Sequence, residues 1–507
     1  MNFADTLRRH ADSSPGNIAL HFAGQGTSYR QLWQHIEAAT AALQSQGVKP
    51  GDRVAWLGLN DPAMLALLFA LSRLGAILLP LNYRLAAPEL AAILAHAEPR
   101  LLIVDAAHQE TGRALAASEK IALFPAIGLL ASPREAASVA PSTLPQIDES
   151  APALLVYTSG TTGKPKGALH TQAGLIANCV ASQHAHGFTT EDHVLTVLPL
   201  FHVGGLCIQT LPALYAGARV TLHPRFEPAT WLHDVQALRP SMSLLVPATL
   251  RAVLAHPEFG ATDVSSLKLL NAGSSNIPLS MIEAFHARGV PVCQVYGATE
   301  TGPVSIYLQR HEAMQYAGSA GRAGVNVAVR LVDESGADVN EDDSSAIGEI
   351  WLKAPNVMRE YWRDPANASF LDCWFHTGDL ARRDAEGFYW LVGRSKDMII
   401  SGGENIYPAE IENILADCPL IAEAAVVGMP DERWGEVAVA VVVLAPGAQL
   451  SASEVLQLLE GKLARFKHPR QVDFAESLPK TALGKVQKAE LAKLLLGFAV
   501  TSLSKPA

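Results

Sequence analysis

Residues 157–167 read YTSGTTGKPKG, a stretch that gathers hydroxyls, glycines and lysines into one short loop. Thr158, Ser159, Thr161 and Thr162 offer hydroxyl donors. Gly160, Gly163 and Gly167 let the backbone approach a ligand closely and turn its N–H groups inward, while Lys164 and Lys166 supply charge. Such a loop is suited to holding phosphates. It is not the common nucleotide P-loop, which places four residues between its glycines and runs Lys-Ser/Thr into a helix. Here two residues separate Gly160 from Gly163, and Pro165 follows Lys164.

Five further stretches carry groups of the same kind: PLFHVGG at residues 199–205, VYGATETG at 295–302, HTGDL at 376–380, GRSKDMIISGGENIYPAEIE at 393–412 and PKTALGK at 479–485. A Thr-Gly-Asp is by itself a common turn, and an isolated lysine is usually a solvated charge. Six such strings in this order closely resemble the signature of the adenylate-forming superfamily, which comprises acyl-CoA synthetases, peptide-synthetase adenylation domains and luciferases. The resemblance covers nearly the whole chain.

Joining a carboxylate to a thiol at neutral pH requires the carboxyl oxygen to become a good leaving group. Attack on the α-phosphate of ATP does this by forming an acyl-AMP, and positive charge with Mg²⁺ must sit where negative charge builds up. The resemblance implies an ATP-dependent acid–CoA ligase of this kind, using ATP, Mg²⁺ and coenzyme A. By that resemblance Thr158, Ser159, Gly160, Thr161, Thr162, Gly163 and Lys166 cradle the β- and γ-phosphates. Thr299 donates to the α-phosphate, Glu300 holds Mg²⁺, and Lys485 bridges the carboxylate and the α-phosphate. Tyr296 and Gly297 offer a flat face to adenine, Asp379 accepts from the ribose hydroxyls, and Arg394 donates to the same sugar or its phosphate. His202 is assigned substrate positioning and gating of the acyl pocket.

The same resemblance makes Gly402 and Gly403 part of a pantetheine tunnel that forms once a small domain has rotated, and has Trp434, Phe466 and Lys467 touch the CoA nucleotide. It lines the acyl pocket with Val203, Gly204, Gly205, Ala272, Gly273, Ser274, Gly297, Ala298, Pro303 and Val304. These residues are small and mostly apolar, with no second cation beside Tyr296 for a dicarboxylate and no aspartate in PLFHVGG for an amino group. An apolar monocarboxylic acid is therefore favoured: a medium or long fatty acid, or a phenylpropenoid or other aromatic acid. Two other readings stay open, a stand-alone adenylation enzyme that loads a carrier protein and a non-catalytic acyl or nucleotide sensor.

The elements that must position these groups follow from periodicity. Residues 29–46 carry a helical stripe, 53–57 read as a strand, 62–71 as a helix, 76–79 as a strand, 88–95 as a helix and 101–105 as a strand. Strand-like segments recur at 194–198, 219–222 and 244–246, and strands separated by helices imply parallel crossover units. Residues 388–392 read as a strand before the charged break at 394–397. The resemblance makes this break a hinge at 393–397, with Lys396 at its centre. The expected fold is α/β: a large N-terminal domain of parallel α/β sheets over residues 1–394 and a small, mobile α+β C-terminal domain over 395–507.

Composition agrees. A chain of 507 residues, 49% hydrophobic, exceeds what one core organises. A net charge of −10 argues against binding a nucleic-acid backbone, so small anionic substrates must be met by local cations. Five cysteines without Cys-x-x-Cys spacing indicate neither a disulfide framework nor a zinc site and suit a reducing cytoplasm. Residues 1–15 lack the apolar segment of a secretory signal. The apolar window 63–81 is broken by Arg73, Gly75 and Pro80, and reads as a buried helix and strand rather than a membrane span. Oligomeric state is not legible, because an isologous interface leaves no motif.

Overall fold

The computed structural model describes residues 2–130, 144–158, 165–273, 277–340, 342–364, 369–402, 404–431, 433–481 and 484–503, with side chains up to residue 496. Local signals act where the sequence places them. Ser28 and Gln31 form a capping box at the start of helix Tyr29–Ser45. Asp61 accepts from the Ala63 N–H, Pro62 opens the next helix and Gly75 closes it at φ +68°, so the apolar window becomes the buried helix Pro62–Leu74 followed by strand Ile77–Leu81. Among the described residues no helix is long and apolar enough to cross a membrane.

The alternation of strands and helices builds two mainly parallel sheets. Among the described residues one is nine-stranded, in the order Arg322–Ala323, Ile306–Tyr307, Val292–Tyr296, Leu269–Gly273, Met242–Leu245, His193–Thr196, Arg219–Leu222, Ile18–Phe22 and Gln25–Ser28. The other is seven-stranded, in the order Glu360–Tyr361, Lys166–Thr171, Pro152–Thr158, Ile77–Leu81, Arg53–Leu57, Leu101–Val104 and Ala122–Pro125. Antiparallel pairing is confined to the two outermost strands at one edge of each sheet and to Gln25–Ser28 at the other edge of the nine-stranded one. Trp56 and Val156 from one sheet and Val194 and Leu269 from the other share a single core cluster with Phe69, so helix Pro62–Leu74 is packed between the sheets.

Residues 328–394 depart from the parallel pattern. Ala328–Val332, Ile347–Lys353, Trp374–Arg383, Phe370–Leu371 and Tyr389–Arg394 form an antiparallel sheet, since the loops joining them hold no crossover helix. Arg394 ends that sheet, Ser395–Asp397 make a 3₁₀ turn, and a fourth sheet begins at Ile399–Ser401. Its other strands are Glu404–Ile406, Ile421–Asp431, Gly435–Leu444 and Gln471–Phe474, with a core of Ile411, Leu415, Val426 and Val442 distinct from the core between the large sheets. The molecule is thus a large N-terminal domain and a smaller C-terminal one. They touch through helix Pro247–Leu254, where Arg251 donates to the Ala422 carbonyl and the Ala248 methyl faces Gly484.

Candidate active site

Strand Val292–Tyr296 delivers Tyr296 to the rim of the antiparallel sheet, where its hydroxyl donates to Asp379 Oδ2 at 2.9 Å. Asp379 Oδ1 lies 2.8 Å from Arg394 Nε. The two are directly opposed in the ladder between Trp374–Arg383 and Tyr389–Arg394, so register imposes the pair. Burial pushes the Tyr296 hydroxyl far above its ordinary range, and the Asp379 charge adds to this, so it remains a donor. The Arg394 cation is held up by Asp379 in turn.

The turn Thr299–Thr301 follows, pinned by its carbonyls. The Met358 N–H donates to the Glu300 carbonyl at 2.7 Å, the Asn356 amide to that of Thr301 at 2.9 Å, and the buried His170 ring reaches the Thr299 main chain. Gly302 leaves the turn at φ +68°, where a Cβ would stand 2.3 Å from the Asn356 carbonyl oxygen. The Glu300 side chain is thereby aimed. Its Oε1 accepts from the Tyr361 hydroxyl at 2.8 Å and from Thr158 Oγ1 at 3.3 Å, which ties the end of strand Pro152–Thr158 to the expected metal carboxylate. Ser159, Gly160, Thr161, Thr162, Gly163 and Lys164 lie outside the described residues. Lys166 opens the following strand, with Nζ 3.6 Å from Asp364 and 4.8 Å from the Tyr361 ring.

No cluster of three or more potential metal-ligating side chains exists among the described residues. Glu300 keeps Oε2 clear of the described hydrogen bonds, so this carboxylate could hold a hard, oxygen-preferring cation such as Mg²⁺, which would supply positive charge there.

Lys485 sits on a tight loop. The Thr481 N–H donates to its carbonyl at 2.8 Å, Lys480 bridges Val486, and Gly484 adopts φ +81°. Docking of the C-terminal domain brings this lysine to Asp379, Arg394 and His202 of the N-terminal domain, whose surroundings its charge reaches, while Lys396 and Asp397 of the 3₁₀ turn act on it from its own domain. The side chain keeps access to open space in the cleft, yet surrounding protein desolvates it and lowers its pKa to about 8, with Arg394 assisting and Asp379 opposing.

His202 starts the helical run Val203–Ala216. Its Nδ1 accepts from the Gly204 N–H at 3.0 Å, and burial lowers the ring to about 4, so it is neutral. Gly205 has no room for a side chain, since a Cβ would lie 2.3 Å from the Pro199 carbonyl oxygen. Leu206–Thr210 then form a π turn. Pro212 has no N–H, so the carbonyls four and five residues earlier, on Ile208 and Cys207, lack helical donors. Ser182 Oγ and the Asn178 amide from helix Gln172–His186 donate to them at 2.6 and 2.7 Å.

Val203 is buried next to this π turn, and Val304 packs with Ile208, Leu244, Val295 and Tyr307 at the carboxyl ends of the nine-stranded sheet. Gly273 shares the Val295 face and would clash with the Val295 carbonyl if it carried a side chain. Gly297 is likewise closed by Pro303, and the Ala298 N–H bonds Thr301 Oγ1 at 2.8 Å. Ala272 differs: its side chain lies on the opposite face, in the core with Leu270 and Trp231, because strand residues alternate. Ser274 lies outside the described residues.

On the C-terminal domain the Gly402 N–H donates to the Trp434 carbonyl at 2.8 Å, and a Cβ on Gly402 would stand 2.5 Å from the indole. Phe466 is exposed, and Lys467 is paired with Glu410 at 2.7 Å. Gly403 lies outside the described residues. Lys396 is exposed in the 3₁₀ turn. Sequence reasoning missed Arg433 and Arg470, which lie 5.0 and 5.2 Å from the Trp434 ring, although Arg433 directly precedes Trp434 in the chain. It also missed Tyr361, Asn356 and His170, which act from distant positions and leave no local signal.

Known proteins resemble this chain over nearly its whole length. A model of AMP-binding enzymes matches residues 7–362, and one of the AMP-binding enzyme C-terminal domain matches residues 410–485. The chain is 46% identical over 505 residues to an indoleacetate–CoA ligase of Aromatoleum aromaticum, covering 98% of each protein. It is 41% identical over 486 residues to a feruloyl-CoA synthase of Amycolatopsis, covering 95% of this chain and 97% of that one. ATP-bound MatB from Rhodopseudomonas palustris superposes with a TM-score of 0.88 at 31% identity, over 97% of this chain and 99% of that one.

Proposed function

We propose, from the premise that this chain belongs to the AMP-binding enzyme family, that it joins an aromatic monocarboxylic acid to coenzyme A. As a member it is an acid–thiol ligase that uses ATP, Mg²⁺ and coenzyme A. The observation that carries the finer reading is the meeting of Lys485, the Asp379–Arg394 pair and the Glu300 turn beside an uncharged pocket wall. The names of the indoleacetate and ferulate relatives support an aromatic acid over a fatty one.

In the first step a carboxylate oxygen bonds to the α-phosphorus while the bond to pyrophosphate breaks. Lys485 stands at the meeting point of the two anions and offsets their repulsion, and Thr299 donates to the α-phosphate. Mg²⁺ supplies charge stabilisation on the phosphate oxygens, with Glu300 as its protein ligand. Asp379, fixed by Tyr296 and Arg394, has carboxylate lone pairs for the ribose diol. Neutral His202 shapes the acid's entry without competing for its charge. In the second step the thiolate attacks the acyl carbon and AMP leaves; no base is required on the enzyme. We place the division between domains at 394/395, with Lys396 as the hinge about which residues 395–507 turn to bring Gly402 and Trp434 to the thiol.

Pyrophosphate release with ATP and Mg²⁺ across indolic, cinnamic, benzoic and fatty acids, with and without CoA, tests the reading. Turnover that needs CoA and prefers aromatic acids supports it. Preference for fatty acids refutes the substrate class, and a single burst that CoA cannot convert into turnover points to a carrier protein as acceptor.

A further inference from the structure

We infer that Gln209 is a specificity residue of the acyl pocket, its Oε1 accepting a hydrogen bond from an N–H or O–H on the distal ring of the bound acid; this rests on the aryl-acid reading above. Gln209 belongs to the π turn and is only 2% exposed. The direction of its amide follows from its partners. Nε2 donates to the Ser243 carbonyl at 3.3 Å and to Asn271 Oδ1 at 2.6 Å, and Asn271 Nδ2 donates to the Cys293 carbonyl at 3.1 Å. A carbonyl can only accept, so Cys293 fixes which end of the Asn271 amide carries hydrogens, and Ser243 does the same for Gln209. The relay therefore runs one way and ends on Gln209 Oε1, a buried acceptor to which no described residue donates. Leaving such an acceptor unpaired is costly, so the site is built for a donor.

The position of the relay says which donor. Asn271 and Gly273 are two residues apart on strand Leu269–Gly273 and share a face, the one on which Leu244, Val295 and Val304 pack with Ile208, the residue before Gln209. Asn271 is registered with Leu244 and with Cys293, one step deeper than the pairing of Gly273 with Val295. Gln209 thus stands behind the apolar wall assigned to the acid, away from the Lys485 end. A ring N–H or O–H extended to that depth meets Oε1, while a methylated ring leaves it unpaired. The motif strings gave no hint of this, because the relay joins residues 62 positions apart.

The test uses matched acids with the full chain: indole-3-acetate against 1-methylindole-3-acetate, and 4-hydroxycinnamate against 4-methoxycinnamate, compared by kcat/KM for CoA-dependent pyrophosphate release. The donor acid of at least one pair is expected to be favoured by about tenfold or more. Gln209→Leu should bring that ratio to within about twofold of unity, and Gln209→Glu, which keeps an acceptor, should retain it. Gln209→Met serves if the leucine variant does not fold. Equal kcat/KM within both pairs of the unaltered protein, as expected if buried water serves the acceptor, overturns the inference and leaves the ligase reading intact. A preference that survives in Gln209→Leu overturns it too, since another group must then read the donor. No turnover with any of the four acids overturns both readings.

Discussion

The charge state of Lys485 should set the alkaline limit of adenylation. Desolvation and the neighbouring Arg394 lower its ammonium to about 8 in the free enzyme. The acting form is the cation, which is the low-pH form, so its contribution is complete well below pH 8 and lost as pH rises through that value. At pH 9 about one lysine in ten stays protonated, and kcat/KM for ATP in acyl-AMP formation should be about tenfold below its plateau, falling a further tenfold for each pH unit. Bound ATP adds anionic charge and should carry the decline in kcat to higher pH than that in kcat/KM. The assay is pyrophosphate release between pH 6.5 and 9.5 with hydroxylamine as acceptor, which keeps the ionisation of the CoA thiol out of the profile. Lys485→Arg should flatten the alkaline limb, because a guanidinium keeps its charge. Lys485→Ala should lower the plateau by about 10²- to 10³-fold and remove the same limb. A wild-type profile flat to pH 9.5, or an unchanged limb in Lys485→Ala, refutes the reasoning.

Other consequences can be checked separately. Gly302→Ala combines a positive φ with a Cβ 2.3 Å from the Asn356 oxygen, and should cost about 1–3 kcal/mol in urea unfolding while raising the Mg²⁺ concentration needed for half-maximal activity; an unchanged midpoint contradicts the strain argument. Gly402→Ala must displace the Trp434 ring, so thioester formation from supplied acyl-AMP should fall about tenfold or more with pyrophosphate release nearly unchanged, and equal losses in both would dissociate Gly402 from the second step. His170 and His186 are buried and neutral, lowered by desolvation to about 4 and about 3. Since their unfolded rings take protons near 6.5, stability present above that pH should drain away as pH falls toward 4, by several kcal/mol in all; a urea midpoint constant over this range would exclude it.

Much of the framework was legible because it is written locally. Strands 53–57 and 219–222 appear with those bounds, and helix Tyr29–Ser45 ends one residue early, since apolar periodicity and capping act within a few residues. The strand expected at 388–392 instead extends from Tyr389 to Arg394, because pairing with Asp379 continues the ladder through the charged residue. Strand Lys166–Thr171 went unread, its apolar core being only Ala168 and Leu169, although the hairpin it forms with Pro152–Thr158 frames the glycine-rich loop. The site divides in the same way. Asp379, Arg394, Glu300 and Lys485 stand in recognisable strings, whereas the residues that orient them, Tyr361, Asn356, His170 and Arg251, act across folds in the chain that no short pattern records. Ala272 shows the limit from the other side: a resemblance names a pocket residue but not its parity on a strand.

The π turn at Leu206–Thr210 makes the wall of the acid site sensitive to a count of residues as well as to their identity. Removing one residue there would restore ordinary helical pitch and swing the preceding segment, with His202, Val203 and Gly204, by about 100° and 1.5 Å relative to helix Leu211–Ala216. Ser182 and Asn178 would then face the wrong carbonyls. Side chains in this wall can drift by substitution and tune which acid fits, but its length can change only in whole helical steps, so divergence of substrate choice here should proceed by replacement and almost never by insertion or deletion.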